Sequence, residues 1–452
     1  MATQKAVSLR SICPDVQGTT YATHCIHTFY PARFIPQVPR YVLERYPVPR
    51  RPALVFDPFA GAGTTAVEAY LQGHHSWTID VNPLTAFLVR VKLQPLSPRL
   101  WPQVWHTVLD HVARMRRSHE DWTPAWEDLH YWFPAEALPF LRRMWGYLKQ
   151  LPTSEPSALF LQAAALAVTR YFSWGDSRVP KLFKSKRRKA ELPRILDELA
   201  RNPSLPWILL QETARRYIYG AVVLGRMAQN REVCVIEGPP LEPLSSDRLW
   251  AYVQCADARQ VGPILRQGVE LTGLIDYIIT SPPYCYAQEY FRSTKIDLYW
   301  LGLVDSATLR QMMKDEIGYT TADPMTFAYL QRQFPALRHF LEKLESDVSR
   351  RRAITQLKGY FVDLWRVLEQ AIPYLRPGGW CAIFVGEPRV LGHTAPLHRI
   401  IAEYLEALGL EVRDQLLDTI RARNLFRGRR NLNPEGIQGE WLIVAQKPDR
   451  LG

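Results

Sequence analysis

The stretch Ala53-Leu54-Val55-Phe56-Asp57-Pro58-Phe59-Ala60-Gly61-Ala62-Gly63-Thr64-Thr65 decides the fold class. Ala53 to Phe56 is an apolar run of strand length, Asp57 to Gly63 is a loop, and Thr64 to Gln72 reads as a helix stopped by Gly73. Ser76 to Ile79 is a second short strand, ending in Asp80-Val81-Asn82-Pro83. Strand, glycine loop, helix and strand in this order open a parallel α/β sheet, whose ligands sit at the carboxyl ends of the strands. Gly61 and Gly63 let the backbone approach a ligand closely. A dinucleotide loop offers bare N–H groups to pyrophosphate. This loop carries Asp57 instead, whose carboxylate repels phosphate and attracts a cation. Asp80, at the end of the next strand, is placed to accept hydrogen bonds from two ribose hydroxyls.

A second stretch adds chemistry. Leu274 to Ile279 reads as a buried strand and runs into Thr280-Ser281-Pro282-Pro283-Tyr284. The prolines hold Ser281 and Pro282 extended, which sets the direction of their oxygens. The Ser281 hydroxyl and the Pro282 carbonyl can then accept from one amino group, Pro283 stiffens the turn, and Tyr284 offers a flat face to a planar ring.

Together, DPFAGAGTT, TIDVNP and TSPPY resemble the amino-methylating DNA methyltransferases, which transfer a methyl group from S-adenosylmethionine to cytosine N4 or adenine N6. The resemblance covers residues 24–95 and 250–300, with weaker support from 358–445. It implies a doubly wound, mostly parallel, seven-stranded Rossmann-like sheet with one antiparallel strand and mainly helical insertions. It implies cofactor contacts from Phe34, Asp57, Phe59, Ala60, Gly61, Gly63, Thr64, Thr65, Asp80, Asn82, Asp257 and Ala258. Phe34 belongs to a segment, with His27, Phe29 and Pro31, that would cover the cofactor. Asp257, after the strand Tyr252 to Ala256, would meet the cofactor's adenine. Ser281, Pro282, Pro283 and Tyr284 would act on a base flipped out of double-stranded DNA, since its amine is out of reach inside the duplex. Serine at the first position of the turn favours cytosine N4, with adenine N6 as the alternative. No Pro-Cys dipeptide occurs, which discounts the covalent cytosine-C5 route, and Cys285 is expected to pack.

The 452 residues carry a formal net charge of +12, which suits a polyanionic partner. The densest basic run, Arg178 to Lys189, offers Lys184, Lys186, Arg187, Arg188 and Lys189 to a DNA backbone. Arg292 and Lys295, on the helix after the turn, would meet phosphates beside the flipped nucleotide. Arg427, Arg429 and Arg430 occupy a loop between the last two strands, on the functional edge. The chain divides into a cofactor-binding half (1–96), a helical insertion that is the candidate target-recognition region (97–232), a catalytic half (233–302), a second helical insertion (303–357) and the closing part of the sheet (358–452). Tyr290, Leu298 and Trp300 are expected to pack rather than react.

Six scattered cysteines without a CxxC pair suggest neither a zinc site nor a disulfide framework, and no metal is expected at the His24/His27 pair. No secretory signal or spanning run of apolar residues is read, so a cytoplasmic protein associated with DNA is expected, with a restriction or defence-system protein as a possible partner. Two rivals are an RNA base-amine methyltransferase, which usually has Asn or Asp in place of Ser281, and a catalytically silent DNA-binding subunit, against which the intact motifs weigh.

Overall fold

The structure, a computed structural model, describes residues 3–7, 22–26, 29–31, 34–176, 181–240, 248–266, 274–285, 289–318, 321–345, 351–390, 392–419 and 439–449. Its first half runs β1 (Thr3–Val7), α1 (Gln37–Arg45), β2 (Leu54–Asp57), α2 (Thr64–Leu71), β3 (His75–Asp80) and α3 (Leu84–Lys92). A purely helical stretch follows: α4 (Trp101–Arg117), α5 (Leu129–Trp132), α6 (Leu138–Leu148), α7 (Pro156–Tyr171), α8 (Lys186–Arg201) and α9 (Leu205–Met227). The chain then returns to the sheet with β4 (Val233–Glu237), β5 (Leu249–Cys255), α10 (Val261–Arg266), β6 (Ile275–Thr280) and α11 (Tyr290–Trp300). Helices α12 (Ser306–Lys314), α13 (Pro324–Gln333), α14 (Pro335–Glu345) and α15 (Arg351–Ala371) precede β7 (Leu375–Gly386). A small hairpin of β8 (Arg389–Val390) and β9 (His393–Thr394), then α16 (Leu397–Ala407), β10 (Glu411–Thr419) and β11 (Gly439–Gln446), complete the described chain.

One sheet of nine strands has the order β1-β10-β11-β7-β6-β2-β3-β5-β4. Strands β4, β5, β3, β2, β6 and β7 pair in parallel, and β11 is antiparallel to both of its neighbours. The seven strands from β10 to β5 are the expected doubly wound set with its single reversed strand. Two edge strands extend it: β4, which pairs with β5, and β1, which pairs in parallel with β10 from the polar lead-in where no strand was expected. The Pro377-Gly378-Gly379 turn lies inside β7, where the pairing with β6 jumps from Ile275↔Leu375 to Tyr277↔Trp380. Gly378, at φ +71°, lets the extra residues bulge out.

The central position of β2 locates the site. Its next strand in sequence, β3, lies on one side, while β6 lies on the other, paired Val55↔Tyr277 and Phe56↔Ile278. This is the switch point at which helices leave for opposite faces and a crevice opens beyond the strand ends. Every residue of β2 and of β6 is buried, as strands covered on both faces must be. The helices between α3 and β4 form their own apolar cluster and pack onto α11, with Trp126 stacked on Tyr299 at 4.6 Å and Trp300 fully buried. At that seam Arg170 of α7 donates to both Asp297 carboxylate oxygens, at 2.9 and 2.6 Å, and to the Ser293 carbonyl at 2.6 Å.

Candidate active site

The two sequence motifs meet through one side chain. Asp57, 1% exposed, accepts from Phe59 N–H at 3.0 Å and from the hydroxyls of Thr280 and Thr65, each at 2.6 Å. It ties the start of the glycine loop to the first turn of α2 and to the last residue of β6. Burial pushes its carboxyl up to about 6 against the pull of these donors. The loop is braced further: Ala60 N–H reaches the Ile79 carbonyl at 3.0 Å, and Thr85 reaches the Gly61 carbonyl at 2.8 Å. Gly63 has φ +75°, and a β-carbon there would come within 2.7 Å of Val89 on α3, so this glycine serves close helix packing.

Above the loop opens a cavity of about 480 Å³. Its walls include Tyr30, Pro31 and Phe34 from the N-terminal segment, and Phe59, Ala60 and Gly61 from the loop. Asp80 and Asn82 from the end of β3, Asp257 and Ala258 after β5, and Ser281, Pro283 and Tyr284 from the proline turn also line it. Residues from these five separate stretches of sequence thus face one space. Acidic residues contribute throughout, namely Asp80, Asp257, Glu289, Asp315 and Glu316, and among the described residues no lysine, arginine or histidine lines it. Such a wall is hostile to phosphates and suits a ligand with cationic groups.

Several expected contacts need correction. Asp57, Gly63, Thr64 and Thr65 lie behind the wall and do not line the cavity. Asp57 is spent on internal donors, so it positions the loop instead of meeting a cation itself. Asn82 is also committed: its amide donates to Thr294 and accepts from Leu84 N–H, each at 3.1 Å, capping the start of α3. Pro282 is buried and is not among the residues that line the cavity. Asp257 lines the cavity, but its carboxylate grips Arg259 with contacts of 2.7 and 3.0 Å. Asp80 receives Gly61 N–H at 2.7 Å and Asn82 N–H at 2.8 Å, one on each oxygen, and burial pushes its carboxyl up to about 6.

The aromatic residue of the turn is held from two sides. The Tyr284 hydroxyl donates to Glu440 on β11, and its backbone N–H donates to the Tyr290 hydroxyl at 3.3 Å. Tyr290 was expected only to pack, yet it lines the cavity, whereas Leu298 and Trp300 are core. Cys285 is buried at the cavity edge, and burial pushes its thiol well above the ordinary range, which leaves it a poor nucleophile. The N-terminal cover is anchored by Glu68 on α2, which is fully buried and receives His24 and Arg40, each at 2.9 Å. Burial would raise the Glu68 carboxyl, but these partners hold it below the usual range. Glu289, Tyr290, Glu316 and Glu440 were not anticipated as site residues. Each is an isolated polar residue, and only the folding of distant elements onto the turn gives it a role.

The expected DNA contacts divide. Lys186, Arg187 and Lys189 are exposed at the start of α8. Arg188 is 1% exposed and donates to the carbonyls of Tyr171 and Ser173, so it is a structural residue closing the helical insertion. Lys184 lies 3.5 Å above the Tyr131 ring, with Trp132 and Trp174 nearby. Arg292 is half-exposed and paired with Glu289, and Lys295 is paired with Asp128 at 3.0 Å. Arg178, Arg427, Arg429 and Arg430 lie outside the described residues, as does His27. The five described cysteines are free, and among the described residues no helix is long and apolar enough to cross a membrane.

No family model matches the chain. Among curated proteins it is 21% identical over 402 residues to the Type II methyltransferase M.MvaI of Kocuria varians, covering 85% of this chain and 81% of that protein. It is 20% identical over 406 residues to the Type II methyltransferase M.BsoBI of Geobacillus stearothermophilus, covering 79% and 73%. A shorter match, 39% over 75 residues and 17% of this chain, is to 14% of the Type II methyltransferase M.MjaII of Methanocaldococcus jannaschii. Among solved structures, the rRNA methyltransferase aviRa from Streptomyces viridochromogenes aligns over 98% of both chains at 9% identity and a TM-score of 0.35, too remote to bear on function. Over most of its length the chain is thus similar in sequence to Type II methyltransferases, and it is built on the doubly wound sheet described above.

Proposed function

We propose that this protein is an S-adenosylmethionine-dependent methyltransferase that modifies the exocyclic amine of a flipped base in DNA, with cytosine N4 as the preferred target. One observation carries the reading: the glycine loop, Asp80 and the Ser281–Tyr284 turn share a single acidic cavity, with no basic lining residue among the described residues. The residues suit that cofactor on physical grounds. Gly61 admits close approach, Asp80 stands where a ribose would lie, Asp257 and Ala258 flank the space for an adenine, and the acidic wall favours an ammonium and a sulfonium. Phe34, stacked on Phe384 at 5.8 Å, is the apolar cover. When bound, the cofactor supplies a methyl group on a positively charged sulfur.

The protein's own part is positioning. An exocyclic amine is a weak nucleophile because its lone pair is delocalised into the ring. The Ser281 hydroxyl, which faces the cavity, accepts one of its hydrogens, which favours a pyramidal nitrogen with its lone pair aimed at the methyl group. Fixing two bound reactants in line is the largest available lever, and the same oxygen dipole stabilises positive charge growing on nitrogen. The Tyr284 ring, tethered by Glu440, stacks on the base. Ser281 in place of an acidic or amide residue underlies the preference for cytosine. The exposed Lys186, Arg187 and Lys189 on α8 are the proposed backbone contacts of a target-recognition region formed by residues 97–232, in a DNA-associated cytoplasmic protein of a restriction or defence system.

The direct test is incubation with labelled S-adenosylmethionine and genomic DNA, followed by nucleoside mass spectrometry. N4-methylcytosine is expected. N6-methyladenine would keep the chemistry and change the base, and label only in RNA would overturn the DNA substrate. Asp80→Ala should raise the cofactor dissociation constant by about tenfold or more, since a charge-assisted hydrogen bond and the Gly61 brace are both lost. Unchanged affinity in titration calorimetry would remove Asp80 from the site. Replacing Lys186, Arg187 and Lys189 together by alanine should flatten the slope of log affinity for DNA against log salt by about 2 to 3. An unaltered slope would return these residues to plain surface.

A further inference from the structure

We propose that Glu316 is the proton acceptor of the reaction, taking the hydrogen that the exocyclic amine must lose when it is methylated. The proposal rests on the methyltransferase reading of the cavity. The balance is simple. A nitrogen–carbon bond forms as the carbon–sulfur bond of the sulfonium donor breaks, and the donor leaves as a neutral thioether. One nitrogen–hydrogen bond then gives its electron pair to nitrogen and its proton to a carboxylate oxygen of Glu316.

The catalytic turn contains no base of its own, because it opens with Ser281, whose hydroxyl is too weakly basic to keep a proton. A base must therefore come from elsewhere on the wall. Four of the five acidic lining residues are engaged. Asp80 braces the glycine loop through Gly61 N–H, also holds Asn82 N–H, and is assigned to the cofactor's ribose, and Asp257 is clamped on Arg259. Glu289 is paired with Lys181 at 3.1 Å and Arg292 at 2.9 Å, and the Asp315 carboxylate takes the Gln311 amide at 3.1 Å. Glu316 makes no ion pair among the described residues. Its Oε1 accepts Phe291 N–H at 2.9 Å, at the start of α11, which fixes the side chain beside the catalytic turn. It is 8% exposed and lines the same cavity as Ser281 and Tyr284.

The surroundings tune it for the task. Burial first, and then the charges of Glu289 and Asp80, push its carboxyl up to about 7, against the N–H groups of Phe291 and Tyr290. Among the described residues Tyr30, Tyr290, Tyr360 and Cys285 also line the cavity, and burial raises each of them so that they stay neutral. A carboxylate near 7 is matched to proton transfer at neutral pH. Because the acceptor must be ionised, the rate should rise with pH through about 7 and then level.

The test is Glu316→Gln, which keeps a carbonyl oxygen for Phe291 N–H. Single-turnover methyl transfer to DNA at saturating S-adenosylmethionine should fall on the order of 100-fold, and the wild-type rise in rate near neutral pH should vanish. A second readout does not need turnover. Infrared difference spectra of the free protein should show a protonated-carboxyl band that titrates near pH 7 and is missing in Glu316→Gln. A variant with the wild-type rate and pH profile, or a Glu316 carboxyl already ionised at pH 5, would overturn the proposal. A wild-type protein that methylates no DNA while the infrared band titrates as expected would overturn the reading of the substrate, and the proton-acceptor role with it.

Discussion

Arg170→Met is expected to destabilise the protein by about 3–5 kcal/mol, the cost of stranding a buried charge. Asp297 is fully buried, and its carboxylate is held by the Arg170 guanidinium on both oxygens. Without the guanidinium the carboxylate would lose its charge-assisted hydrogen bonds from Arg170 in an apolar seam lined by Trp126, Tyr299 and Trp300, where desolvation is costly. The effect should reach the site, because Asp297 lies on α11, whose first turn holds Glu316 and Tyr290 against the catalytic turn. Urea unfolding monitored by tryptophan fluorescence measures the first effect. Pairing Arg170→Met with Asp297→Leu should recover much of the loss, since two apolar side chains strand no charge. If the double variant is no more stable than Arg170→Met, the seam depends on something other than charge pairing.

Ser281→Ala should lower the single-turnover rate of methyl transfer on the order of 100-fold, the usual cost of losing one acceptor aimed at developing charge. Tyr284→Ala should cost about 10- to 100-fold, as expected from 1–3 kcal/mol of base stacking. In both variants the cofactor dissociation constant should stay near the wild-type value, because Gly61, Asp80 and Asp257 are untouched. Tyr284→Phe separates the ring from its anchor. It keeps the stacking face and loses the hydrogen bond to Glu440, so its effect should be several-fold smaller than that of alanine. Equal losses in Phe and Ala variants would shift the weight from stacking to the tether. Loss of cofactor binding in Ser281→Ala would mean that the turn belongs to the cofactor subsite.

The reading of the core from sequence held where the chemistry is contiguous. DPFAGAGTT specifies a strand, a tight loop and a helix within a dozen residues, and the strand ending in TSPPY pairs beside it. Local stiffness at Pro282 and Pro283 and the left-handed backbone of Gly61 and Gly63 are properties of those residues alone. The edges were less legible. Strand β1 pairs with β10 across the whole length of the chain, and no local pattern announces a partner some four hundred residues away.

Side-chain roles diverged for the same reason. Charge in a basic run says nothing about which residue turns inward. Helix α8 puts Arg188 under the insertion and leaves Lys186, Arg187 and Lys189 outside, because successive residues on a helix face different directions. Asp57 carries a charge suited to a cationic ligand, but two threonines and a backbone N–H claim it once β2 and β6 lie side by side.

The sequence by itself therefore determined the class of sheet, the place of the crevice and the chemical character of the proline turn, since each follows from short-range backbone constraints and from a few adjacent residues. Only the tertiary structure decided which carboxylates brace the fold and that Glu316, held by Phe291 N–H, faces the cavity beside the catalytic turn. It also decided that Tyr284 is tethered by a strand 156 residues further on. Burial and hydrogen bonding are properties of the assembled neighbourhood, and a carboxylate's protonation and reach depend on neighbours that come from everywhere in the chain.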